Sequence, residues 1–72
     1  MTTYQMICSN GWSTDIEANT LIGAKRKATA EATYDCGSYT LITPEGKRHT
    51  RRRWEGFNAW GWDSWVEVDE NY

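Results

Sequence analysis

Lys47-Arg-His-Thr-Arg-Arg-Arg53 is the stretch best equipped for chemistry, and that chemistry is anion recognition. Guanidinium forks match the geometry of phosphate and carboxylate, and a lysine adds a mobile point charge. Read as a strand, the segment places Lys47, His49, Arg51 and Arg53 on one face. Arg48, Thr50 and Arg52 take the other. Charge on both faces argues against a buried central strand and fits an edge, where cations also deter unwanted strand pairing. Three consecutive arginines exceed that need, so Lys47, Arg48, Arg51, Arg52 and Arg53 are expected to bind a partner. Lys25, Arg26 and Lys27 form a second cationic cluster, on a segment with helical character. They are expected to extend the same surface.

Aromatic residues crowd the region that follows: Trp54, Phe57, Trp60, Trp62 and Trp65 fall within twelve residues. Most must serve as core in so short a chain. Strict alternation over 62–68 sets Trp65 with Asp63 and Glu67, opposite Val66 and Val68. Trp65 is therefore expected on an open sheet face, stacking on an arginine of its own chain or of a partner, or on a base of single-stranded nucleic acid.

Catalysis finds no support in the residue types. His49 is the lone histidine, and its arginine neighbours discourage protonation. There is no phosphate-cradling glycine loop, nucleophile elbow or metal motif. No catalytic residue, metal or cofactor is expected. Cys8 and Cys36 lack a CxxC arrangement; a disulfide between them is geometrically possible, but secreted mini-proteins usually carry more bridges, so buried free thiols are expected. That expectation, with the absence of a basic start and apolar run in the first twenty residues, favours the cytoplasm.

The net charge of −2 hides a strong asymmetry. All eight cations lie between Lys25 and Arg53 against three acids, a local balance of +5, while the remainder carries −7. Such a dipolar chain steers a charged partner to one side.

These residues need elements to hold them. Tyr4–Ser9 and Trp12–Glu17 alternate as strands around Asn10-Gly11, a hairpin signal. Leu21–Tyr34 reads as a helix capped by Asn19 or Thr20, with Leu21, Ala24, Ala28 and Ala32 as a narrow packing stripe and Gly37 as its stop. Ser38–Thr43 and Lys47–Trp54 flank the turn Pro44-Glu-Gly46. Glu55–Gly61 reads as a glycine-punctuated loop, Trp62–Val68 as a last strand, and Asp69–Tyr72 as a fraying end. The fold class is therefore α+β: one domain over residues 1–72, with a five-stranded antiparallel sheet in the order β-β-α-β-β-β. One helix packs on one sheet face. A chain this short buries only about 60% of its unfolded surface, so the aromatics must supply much of the core.

Ile16-Glu-Ala-Asn-Thr-Leu-Ile-Gly-Ala-Lys-Arg-Lys-Ala28 resembles a family of small phage proteins. In these a strand runs into a Thr/Ser-Leu-x-x-Ala-Lys-Arg-x-Ala helix. The likeness is to the ninth family of type I-F anti-CRISPR proteins, which share the short length, the antiparallel sheet and the single helix. It implies an inhibitor in the host-cell cytoplasm that sits on the crRNA-guided surveillance (Cascade) complex. There it would cover Cas backbone-subunit surfaces that target DNA uses, with weak direct nucleic-acid contact. Lys25 and Arg26 match the motif's Ala-Lys-Arg step. The run Arg51–Arg53 and the tryptophan-rich end depart from the pattern, which leaves target subunit and CRISPR subtype open.

Three readings follow. The first is a phage-encoded inhibitor of a surveillance complex. The second is a small nucleic-acid-binding module using the arginine strand and a tryptophan, weakened by the acidic overall charge. The third is a homo-oligomeric phage accessory protein. A monomer and a homodimer both fit, and no membrane partner is expected.

Overall fold

The computed structural model describes residues 2–68; the expected fraying of Asp69–Tyr72 lies outside them. The elements are β1 (Thr2–Cys8), β2 (Ser13–Ala18), α1 (Leu21–Glu31), β3 (Ser38–Ile42), β4 (Arg48–Gly56), β5 (Ala59–Trp62) and β6 (Val66–Val68). Five strands form an antiparallel path in the order β2-β1-β3-β4-β5, and the short β6 also pairs with β4. The α+β class with one helix against one sheet face holds.

The first hairpin differs in its turn. Gly11 donates its N–H to the Cys8 carbonyl, and Cys8 in turn to the Trp12 carbonyl. Only Gly11 takes a positive φ, of 94°, so the loop is one residue longer than the expected Asn10-Gly11 pair. Asn10 instead uses its side chain, whose Oδ1 accepts from the Trp12 N–H at 3.0 Å.

Thr20 caps α1, its Oγ1 accepting from the Gly23 N–H at 3.0 Å. The helix stops three residues short of Tyr34, with Ala32 already extended. The small stripe works as expected: Ala24 and Ala28 are fully buried, and Leu21 and Ala32 pack at the margin. Their size lets the helix lie close over Tyr4, Met6, Cys8, Ile16, Ala18, Tyr39 and Leu41, the core side chains of β1–β3.

Cys8 and Cys36 are joined in a disulfide, with Cα atoms 5.4 Å apart. This corrects the expectation of free thiols. The bend after α1 brings Cys36 back over the end of β1, a proximity that counting cysteines does not reveal.

The segment 55–61 is not a loop. It is the end of a β4–β5 hairpin whose tip is Phe57-Asn58, with Gly56 paired to Ala59 and Asn58 at φ 60°. The last strand is interrupted as well. Trp62 pairs with Arg53, and Val66 with Thr50. Between these pairs β4 has Arg51 and Arg52, while the opposite chain has Asp63, Ser64 and Trp65. One extra residue makes a bulge, and a one-residue slip reverses which side chains face inward.

The bulge overturns the strict alternation over 62–68. Trp62 and Trp65 share the helix-side face, and Val66 and Val68 fall on the open one. Trp65 is thus not on the open face as expected.

Candidate cation–aromatic groove

β4 lies inside the sheet, paired with β3 on one flank and with β5 and β6 on the other. The edge that deterrent charge would suit is not its place, yet the strand is not fully buried either, with Arg48 half-buried and Arg52 exposed. A strand this charged tolerates the position because its inward cations find partners within the fold.

Arg51 is the clearest case. Its register partner is Tyr39, so it points to the helix side. There its Nε donates to the Asp63 carbonyl at 2.6 Å and an Nη to the Trp62 carbonyl at 3.4 Å. The other Nη donates to Thr29 Oγ1 on α1 at 3.1 Å. One guanidinium therefore ties the bulge to the helix. Thr29 also shares a hydrogen bond with the Tyr39 hydroxyl at 2.8 Å.

Arg53 sits at the other end of the same face. It pairs with Glu55 at 3.0 Å, donates to the Tyr34 carbonyl, and lies 4.1 Å from the Tyr34 ring centroid. The Tyr34 hydroxyl donates to Glu55 Oε1 at 2.6 Å. That bond, first among several causes, raises the phenol's pKa above its usual value.

Between these arginines runs a row of edge-on rings. Tyr34 meets Trp60 at 5.2 Å, Trp60 meets Trp62 at 5.7 Å, and Tyr39 meets Trp62 and Trp65 at 5.0 and 5.2 Å. Such T-shaped contacts are favourable beyond their buried area.

At Trp65 the two basic segments converge. Lys25 Nζ lies 5.6 Å from the Trp65 ring centroid and the Arg51 guanidinium 5.3 Å. Ile22, Lys25, Arg26, Thr29, Arg51 and Trp65 line an open groove of roughly 440 Å³ between α1 and the bulge. Arg26 is exposed on its rim. The groove offers an anion a fixed guanidinium, two further cations and an indole.

The remaining expected site residues lie elsewhere. Lys27 points away and donates to the Glu17 carbonyl at 2.5 Å. Lys47 is exposed beside a depression lined also by Tyr4, Glu45, His49 and Glu67. Arg48 and Arg52 belong to the open face, opposite Ile42 and Ser38 on β3. Trp54 continues that line, opposite Gly61 on β5. Ile22, Thr29 and Trp54 had no place in the sequence reading of the site. Ile22 was legible as an apolar residue off the packing stripe, whereas Thr29 gave no signal.

His49 is buried, and its Nε2 has no hydrogen-bond partner among the described residues. Burial lowers its pKa, helped by Lys25 and Lys47 and opposed by Glu67. Among the described residues no three His, Cys, Asp or Glu side chains group as metal ligands. No helix among them is long and apolar enough to cross a membrane. Compared with protein-family models, curated proteins and solved structures, the chain has no match in any of the three.

Proposed function

We propose that this domain is a stoichiometric binding protein that docks through the Trp65 groove onto an anionic protein–RNA surface. The surface is that of a type I crRNA-guided surveillance complex, where docking blocks target DNA. The observation that carries this reading is the meeting of Lys25 and Arg51 at one indole, with Arg26 on the rim. Lys25 and Arg26 are also the residues that carry the anti-CRISPR resemblance. Recognition needs no catalytic group or cofactor, only complementary charge and a shaped surface.

The reading sets a condition. A host cytoplasm keeps thiols reduced, so there the domain must hold its groove with Cys8 and Cys36 unbonded. The test is a pull-down against type I surveillance complexes under reducing conditions, followed by competition with target DNA. Binding that DNA displaces supports the proposal, and failure to co-purify with every subtype rejects it.

A second reading, a single-strand nucleic-acid module, draws on the open face. There β4 aligns Arg48, Thr50, Arg52 and the half-exposed Trp54 on a paired, central strand. Bases stack on such exposed aromatics while cations follow the backbone. Steeply salt-dependent binding of bare oligonucleotide would favour this reading over the first.

A further inference from the structure

The β4–β5 hairpin ends in a projecting knob. Phe57 is 96% exposed at the tip, between Gly56 and Asn58. Trp54 and Trp60 stand behind it on opposite faces, and both are anchored within the molecule. Trp54 lies across Gly61, and Trp60 meets Tyr34 and Trp62 edge-on. Phe57 alone projects with nothing to cover it.

The same chain carries an open groove with an apolar wall. The α1–bulge groove has an apolar wall in Trp65 and in Ile22, which is 67% exposed, and a cationic rim in Lys25 and Arg26. Its volume of roughly 440 Å³ exceeds that of a phenyl ring, and the ring's negative face suits the rim cations. Glu55 near the tip is held by Arg53 in its own chain, so the hairpin brings no free charge to the basic rim and offers it the Phe57 ring face. The knob cannot reach the groove of its own chain. Arg51 and Gly56 are five residues apart on β4, about 17 Å along an extended strand.

We infer that Phe57 of one copy seats in the Ile22–Trp65 groove of a second copy, reciprocally about a two-fold axis. Two knobs and two grooves are then buried together. A lipid surface fits less well, because one phenyl beside Glu55 on a chain of net charge −2 attracts anionic headgroups poorly. The contact occupies the groove assigned above to an anionic partner, so dimer and partner would compete. The inference rests on the exposed phenyl, the apolar wall of the groove and its rim cations, and not on that partner's identity.

Sedimentation velocity of the full chain alone, from micromolar to millimolar concentration, tests it. The expected result is a mass that rises from 8.3 kDa toward twice that value. Phe57→Ser and Ile22→Glu should each weaken association by about tenfold or more, as removal of a central apolar anchor does. Mixing the two variants should restore part of it, since one knob then meets one intact groove. Both positions are exposed, so circular dichroism should confirm an unchanged fold. A wild-type chain that stays monomeric throughout would overturn the inference, as would a dimer that survives Phe57→Ser. Phe57-dependent sedimentation of the monomer with anionic vesicles would overturn it in favour of lipid.

Discussion

Arg51 donates from Nε to the carbonyl of Asp63 at 2.6 Å, placing a guanidinium inside the bulge that separates β5 from β6. A bulge frees backbone carbonyls from the ladder, and a planar fork satisfies two of them at once. The same group reaches Thr29 on the helix, so the bulge, the helix and Trp65 are positioned together. Arg51 thus builds the groove before it can bind anything in it.

Replacing Arg51 should therefore cost stability as well as binding. Arg51→Met removes charge-assisted bonds to Asp63, Trp62 and Thr29 and should destabilise the fold by about 2–3 kcal/mol. Urea denaturation checks this. A midpoint equal to wild type would show that the bulge holds without its guanidinium.

The Cys8–Cys36 bridge closes a separation of 28 residues. The chain-entropy model gives about 3.5 kcal/mol for a loop of that length. Cys8→Ser with Cys36→Ser should lower stability by about that amount, and a reductant should do the same to the wild type. Thermal melts with and without dithiothreitol provide the measurement, which also decides whether the domain stays folded in a reducing compartment.

Gly61 answers to Trp54. A Cβ built at Gly61 would stand 2.9 Å from the Trp54 indole, closer than side chains tolerate. Gly61→Ala should displace that ring and cost about 1–2 kcal/mol by overpacking. The Trp54 indole N–H resonance should shift, and an unmoved resonance would contradict the close stacking.

His49 gives stability a pH dependence of defined sign. Its pKa is lowered in the folded state, chiefly by burial, so the unfolded chain binds the proton more readily. This contribution is complete above the unfolded value of about 6.5 and is lost as pH falls toward the folded value. Denaturation midpoints should fall between pH 7.5 and 5.5, and His49→Leu should flatten that part of the profile. An unchanged slope in the variant would assign the dependence to the carboxylates.

Local patterns carried much of the fold. Alternation sets Tyr4, Met6 and Cys8 on one face of the first strand, which the fold buries, and the alanine stripe located the buried side of α1. The faces of β4 were also correct, with His49 and Arg51 inward and Arg48 and Arg52 outward. What failed depended on contacts distant in sequence. The bulge at Asp63–Trp65 shifts parity, and it is held by Arg51 from another strand, which is in turn bonded to Thr29 on the helix. Central placement of β4 likewise depends on carbonyls and rings supplied by residues 34 and 62–65. The basic surface was legible as composition, but its division into a groove at Trp65 and a line on the open face arises from packing. The disulfide arises from the path of the chain after α1.

Biolayer interferometry of the wild type and a Lys25→Glu, Arg26→Glu variant against immobilised type I surveillance complexes tests the central claim most directly. The account predicts saturable binding that target DNA displaces, weakened by about tenfold or more in the folded variant. Absence of binding to every complex, or binding that the variant leaves unchanged, would contradict a docking role for the Trp65 groove.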